Sequence, residues 1–219
     1  MKLVLVRHPE TTGLREDIIY GRIDMGLSED GKKEIPWAAD RLAHIPFDAC
    51  YCSPLSRARM LCDGIAERHP GLQIQTDERI LEMSLGIFEG LSMTEAEEKY
   101  PGRWKRFYSD YGNMEEEGCE TFVDVSARAK DFIGEITEKY TALEKEDGHE
   151  RTILVVSHAM IMRGMLNALF GLSLHRIYQM CIEPTCIIAV RVDAQTGYTR
   201  LLEFVNPSAD KPELMNVNI

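Results

Sequence analysis

Lys2-Leu3-Val4-Leu5-Val6, followed at once by Arg7-His8-Pro9-Glu10-Thr11, is the stretch on which the reading of this chain turns. A short apolar run, β-branched in part, has the pattern of a buried strand. Pro9 fixes φ and has no N–H for a ladder, so the strand ends there in a turn. A second stretch repeats the plan: Thr152-Ile153-Leu154-Val155-Val156 runs into Ser157-His158, and a helical pattern continues from Ala159 to Phe170.

Further strands are expected at 48–52, 72–76, 185–192 and 198–205. Ser28, followed by Glu29 and Asp30, has the chemistry of a helix start, predicting a helix to about Ala43 whose regular part begins late because of Pro36. Ser53-Pro54 predicts a capped helix with proline in first position, running to about Arg68. Phe122, Val125, Ala129, Phe132, Ile133 and Ile136 form the apolar stripe of the longest helix, expected over 121–145. Residues 12–27 read as loop, 79–91 as irregular, and 92–110 as helical patches broken at Pro101-Gly102. The tail after Pro207 is expected to be loose.

Strands alternating with helices imply an α/β fold, a three-layer α/β/α sandwich with a mostly parallel central sheet. Without repeats or a linker, residues 1–219 read as one domain. Ligands of such sheets bind beyond the carboxyl ends of the strands. Both His8 and His158 stand at such ends, so both should face one crevice.

Composition narrows the function. Lys plus Arg number 25 against 36 Asp plus Glu, a net charge of −11, with 44% hydrophobic and 28% charged residues. That is an ordinary soluble balance. It disfavours binding to nucleic acid or to an anionic membrane surface, and it requires any phosphate chemistry to concentrate its positive charge locally. The apolar run in MKLVLVRHPE is too short for a secretory signal, and no stretch approaches membrane-spanning length, so a cytoplasmic location is expected. Cys50, Cys52, Cys62, Cys119, Cys181 and Cys186 form no CxxC pair or zinc-type spacing and are expected to be reduced, packed thiols. No metal site and no cofactor are expected. Dimerisation is only the default for a chain of this kind.

Phosphate esters repel nucleophiles, so catalysis of their transfer rests on positioning and on cations that absorb spreading charge. Neutral imidazole is a competent nucleophile, and adjacent arginines favour that neutral form while matching phosphate oxygens with their planar fork. His8 beside Arg7 meets this description. His44, His69, His149 and His175 lie at helical or turn positions and read as structural.

Taken together, the motifs resemble the histidine phosphatase superfamily, the phosphoglycerate mutase-like family and in particular its small phosphatase branch. The resemblance rests on Arg7-His8-Pro9 after the first strand and on Gly21-Arg22-Ile23-Asp24 through Leu27-Ser28 to Gly31. It continues in Ser53-Pro54-Leu55-Ser56-Arg57-Ala58, then Arg79 and Glu82 with Gly86, Glu89 and Gly90, and finally Ser157-His158-Ala159. It implies that His8 is the nucleophile that becomes phosphohistidine. Arg7, Arg57 and a protonated His158 would form the phosphate pocket, and Glu82 would be the general acid and base. The Thr11 hydroxyl and the Ala159 N–H would add donors.

Pro9 and Ala159 stand where the family has glycine, and Leu14 stands where many relatives have asparagine. Tyr20, Gly21 and Arg22 are candidate substrate contacts. Glu10 and Asp24 read as turn or capping groups, and Glu89 as either an orienter of an arginine or a solvated carboxylate. Residues 92–120, with Tyr100, Arg103, Arg106, Tyr108 and Tyr111, are expected to form a cap over the pocket, with a surface helix as the competing reading.

The function expected is hydrolysis of a small phosphate ester, with no nucleic acid or membrane partner. A cofactor-dependent phosphoglycerate mutase is the first alternative. It is disfavoured by the interval from Glu82 to His158 and by the short tail, since mutases of the superfamily are usually longer in both places. A non-catalytic module that binds a phosphorylated ligand is the second.

Overall fold

The computed structural model describes residues 1–110 and 114–207. Tyr111 and the expected loose tail fall outside these residues. The elements run β1 (Lys2–Arg7), α1 (Thr12–Arg15), β2 (Ile18–Ile19), α2 (Glu29–Leu42), β3 (Ala49–Cys52), α3 (Ser56–Ala66) and β4 (Ile74–Thr76). Single 3₁₀ turns at Glu78–Ile80 and Gly86–Phe88 lead to β5 (Leu91–Ser92), α4 (Met93–Lys99), α5 (Arg103–Ser109) and α6 (Phe122–Asp147). The chain continues through β6 (Thr152–Ser157), α7 (Ala159–Phe170), α8 (Leu174–Tyr178), β7 (Ile187–Val192) and β8 (Thr199–Val205).

Six strands form one sheet in the order β4-β3-β6-β1-β7-β8. The β4, β3, β6 and β1 strands are mutually parallel, whereas β7 and β8 are antiparallel additions. Side chains alternate across the pleat. Leu3, Leu5, Tyr51, Ile153 and Val155 pack with Phe132, Ile136, Ile161 and Met165 of α6 and α7. Val4, Val6, Cys50, Cys52, Leu154 and Val156 pack with Ala38, Leu42, Leu61 and Ile65 of α2 and α3. These two cores on opposite faces make the expected three layers. All six cysteines are free thiols, and Cys50 Sγ lies 3.1 Å from Cys62 Sγ.

Local chemistry set most boundaries, with three departures. The helix begun by Ser28 runs unbroken through Pro36, because that ring sits on the exposed side where water can serve the carbonyl left without a donor. The next helix starts at Ser56, two residues beyond Pro54, and has no capping side chain of its own. Asp24 caps it from outside, its carboxylate accepting from Ser56 N–H and Oγ–H at 3.0 and 2.9 Å. Within the expected loop 12–27 lie α1 and β2, the latter paired antiparallel with β5.

The loop after His8 is stitched to the start of α2. Ser28 Oγ accepts from Gly31 N–H at 2.9 Å, Ser28 N–H donates to the Glu10 carbonyl at 3.1 Å, and Ser28 Oγ–H donates to the Glu10 carboxylate. A Cβ at Gly31 would sit 2.0 Å from the Glu10 carbonyl oxygen, a backbone atom with little room to yield. Gly31→Ala is therefore expected to cost about 1–3 kcal/mol, read as a fall of several degrees in the thermal midpoint. An unchanged midpoint would show that this loop is free to move.

Candidate active site

Parallel pairing of β1 with β6 sets Arg7 opposite Ser157, and His8 N–H extends the ladder to the Ser157 carbonyl at 2.9 Å. Consequently His8 and His158 leave adjacent strands side by side. Their ring centroids are 5.0 Å apart, tilted by 57°, and the residues are 1% and 0% exposed.

Each imidazole has a defined tautomer. His8 Nδ1 lies 2.7 Å from the Pro9 carbonyl oxygen. A carbonyl only accepts, so Nδ1 carries the hydrogen and Nε2 keeps its lone pair. Arg57 Nε–H donates to His158 Nδ1 at 3.3 Å, so His158 carries its hydrogen on Nε2 and donates it to Ser53 Oγ at 2.7 Å. Burial, followed by the charges of Arg7 and Arg57, holds His8 well below the usual histidine range. Burial, then His8, Arg57 and Arg7, does the same to His158. The arginines and the neighbouring imidazole thus oppose a further positive charge on His158. The protonated form that the resemblance implies is one that holds a phosphate dianion.

Arg57 is buried completely, yet its guanidinium is well served. Besides His158 it reaches the Ile23 and Gly21 carbonyls at 2.8 and 2.7 Å, and it lies 5.0 Å from the Tyr20 ring centre. Tyr20 and Gly21, expected to touch substrate, thus hold an arginine. Gly21 has φ of +36°, and a Cβ there would sit 2.3 Å from Glu89 Oε1. That carboxylate accepts from Arg22 N–H and Leu85 N–H at 3.0 and 2.8 Å, so Glu89 orients backbone and not an arginine side chain. Arg22 itself pairs with Glu120 at 3.0 Å.

Arg7 Nη1 donates to the Ile182 carbonyl at 2.7 Å, while its buried Nε–H has no partner among the described residues and is an available donor. Thr11, fully buried, caps α1 by accepting from Leu14 N–H at 3.1 Å, which leaves its hydroxyl hydrogen free to donate. Ala159 opens α7 without a positive φ, so replacement of the family's glycine brings no backbone strain. The Glu82 carboxylate accepts from Met83 N–H at 2.8 Å and, at the start of α7, from Met160 N–H at 3.2 Å. Among the described residues no group of three His, Cys, Asp or Glu side chains is arranged to hold a metal ion, and no helix is long and apolar enough to cross a membrane.

Residues 3–205 match the family model of the histidine phosphatase superfamily, branch 1. The chain belongs to that superfamily. This histidine phosphatase is 33% identical over 178 residues to phosphoserine phosphatase 1 of Hydrogenobacter thermophilus, covering 81% of this chain and 80% of that protein. It is 29% identical over 202 residues to a 2,3-bisphosphoglycerate-dependent phosphoglycerate mutase of Brucella canis, covering 89% and 93%. Its fold matches that of the α-ribazole phosphatase from Shigella flexneri with a TM-score of 0.83 at 20% identity, covering 94% of this chain and 96% of that one. It is an enzyme of the histidine-phosphatase type, a phosphoric monoester hydrolase.

Sequence reasoning missed several residues around the histidine phosphatase site. Ser53, expected to cap a helix, instead takes the His158 hydrogen. The Pro9 carbonyl sets the His8 tautomer, and the Ser157 hydroxyl donates to the Ile80 carbonyl at 2.6 Å. Arg128 had a visible signal: it is a charge standing three residues after Val125 and four before Phe132, inside the apolar stripe of α6. The other histidines are structural where described, His149 pairing with Asp48 at 2.9 Å and His69 lying edge-on to Phe47. Asp24 is a capping group as expected.

Two imidazoles kept neutral by the fold carry a stability signature. Unfolded histidine binds a proton near pH 6.5, while His8 and His158 resist it. As pH falls below about 6.5 the unfolded state takes up protons that the native state refuses, and stability declines toward the depressed native pKa values. The thermal midpoint should therefore drop between pH 7 and 5.5, and drop less steeply in His158→Gln. Equal slopes for the two proteins would contradict a neutral His158.

Proposed function

We propose that this histidine phosphatase hydrolyses the monoester of a small phosphorylated metabolite in two steps, through phosphohistidine at His8. The observation carrying the proposal is the buried His8 ring, whose Nδ1 hydrogen goes to the Pro9 carbonyl and so leaves the Nε2 lone pair available, with two guanidinium groups close by. In the first step Nε2 bonds to phosphorus as the ester P–O bond breaks, and protonated Glu82 gives its hydrogen to the leaving oxygen. In the second, Glu82 takes a proton from water, the water oxygen bonds to phosphorus, and the P–N bond breaks to release inorganic phosphate and neutral His8.

Arg7 Nε–H, the remaining N–H groups of Arg57, Thr11 Oγ–H and the Ala159 N–H are the donors proposed for the phosphoryl oxygens. His158 fixes Arg57 in the free enzyme. A bound dianion offsets the surrounding positive charge and so favours protonation of that imidazole. The segment 92–120 is the proposed cap, where α4 and α5 gather Tyr100, Trp104 and Phe107 around Phe88. The named phosphatase relatives support a small phosphate ester as substrate. The mutase relative makes the acceptor the point to test.

His8→Ala is expected to lose turnover altogether. Glu82→Gln should lower kcat/KM, which reports phosphoryl transfer to His8, by about 10²–10⁴-fold for alkyl phosphates and far less for p-nitrophenyl phosphate, because nitrophenolate departs without a proton. The later attack of water, which uses Glu82 as base, should slow equally for both. Wild-type-like hydrolysis by His8→Ala would end the covalent scheme. Phosphate release without a bisphosphate primer, unchanged by EDTA, is the expected assay result. Primer-dependent interconversion of phosphoglycerates with negligible phosphate release would assign a mutase instead.

A further inference from the structure

Glu82 can act as acid only if its carboxyl is held at the leaving oxygen, and catalytic geometry tolerates errors of well under an ångström. The stretch that carries it, residues 79–84, has only one 3₁₀ turn to satisfy its backbone. Its carbonyls therefore need donors from elsewhere.

One side chain supplies most of them. Arg128 Nη1 donates to the Arg79 and Leu81 carbonyls at 2.7 and 2.6 Å, and Nη2 donates to the Glu82 carbonyl at 3.1 Å. The same guanidinium is braced by Glu120, whose carboxylate accepts from Nε at 2.9 Å and from Nη2 at 2.9 Å. Glu120 also accepts from Ser84 N–H at 2.9 Å, just beyond the acid, and pairs with Arg22, whose Nε–H reaches the Glu82 carbonyl at 3.0 Å. Ser157 serves the Ile80 carbonyl, and Glu120 N–H donates to that of Ser84 at 2.9 Å.

On the reading of Glu82 as general acid, we infer that Arg128 is the positioning residue for that acid, a rigid fork on α6 that clamps the carbonyls of Arg79, Leu81 and Glu82. Its planar, fixed donors suit the task; lysine would bring one point charge able to serve a single carbonyl at full strength. Glu120 keeps the fork from rotating.

A positioning role differs from general structural support in which substrates suffer. Arg128→Ala is expected to lower kcat/KM for alkyl phosphates by roughly 10²-fold or more while changing kcat/KM for p-nitrophenyl phosphate only a few-fold. In a Glu82→Gln background, the same substitution should cost little further on either substrate. Arg128→Lys, which keeps the charge and the stem, should show the same selectivity if Arg128→Ala fails to fold. Equal losses of kcat/KM on both substrates in the single variants, or a full additional loss in the Glu82→Gln background, would overturn the positioning role. If Glu82→Gln itself lowered kcat/KM alike for both substrates, the acid assignment would fall first. Selectivity in Glu82→Gln without selectivity at Arg128 would sink this inference alone.

Discussion

Parallel pairing of β1 with β6 is the constraint on which the rest of the structure depends. Register Arg7-to-Ser157 is what brings two histidines, 150 residues apart in sequence, to ring contact. A slip by one residue would turn one imidazole to the opposite face of the sheet and expose the alternate apolar set. The two hydrophobic cores forbid that slip, since each strand buries one set of side chains against α2 and α3 and the other against α6 and α7. Site geometry is thus enforced by core packing on both sides of the sheet.

Around this pair the protein concentrates polarity it avoids elsewhere. His8, Thr11, Ser53, Arg57, Ser157, His158 and Thr185 are all buried, and they gather at the carboxyl ends of the central strands and the loops that follow. Thr185, with φ of +59°, donates its N–H to the His8 carbonyl and its hydroxyl hydrogen to Glu34. A β-branched residue in the left-handed region is strained, and strain of this kind persists where surrounding contacts over-determine it. The overall acidity of −11 is therefore no measure of the site, where Arg7 and Arg57 stand close to the two imidazoles. Keeping both imidazoles neutral beside those groups costs stability at low pH. It prepares a nucleophile that needs no deprotonation at neutral pH.

The legibility of the site in the sequence followed the range of the interactions. Elements governed by neighbouring residues were readable: the strands at 2 and 152, the Ser28 start, and the long stripe of α6. Pro36 misled because a local rule about missing N–H groups takes no account of which side of the helix meets water. Ser53 misled because a hydroxyl three residues before a helix has a local use, and here a distant imidazole outcompetes it. The charge of His158 was not legible because it depends on how many other cations the fold brings near.

By itself the sequence determined the element types, the pattern of burial, and the chemical groups placed at strand ends, because propensity, alternation and turn chemistry act over a few residues. The tertiary structure decided which nitrogen of each imidazole carries its hydrogen, that Asp24 caps a helix begun 32 residues later, and that Arg128 reaches the backbone of residues 79–82. Those outcomes are contacts between segments far apart in the chain. Their energies depend on distance and direction in space, which no local pattern encodes.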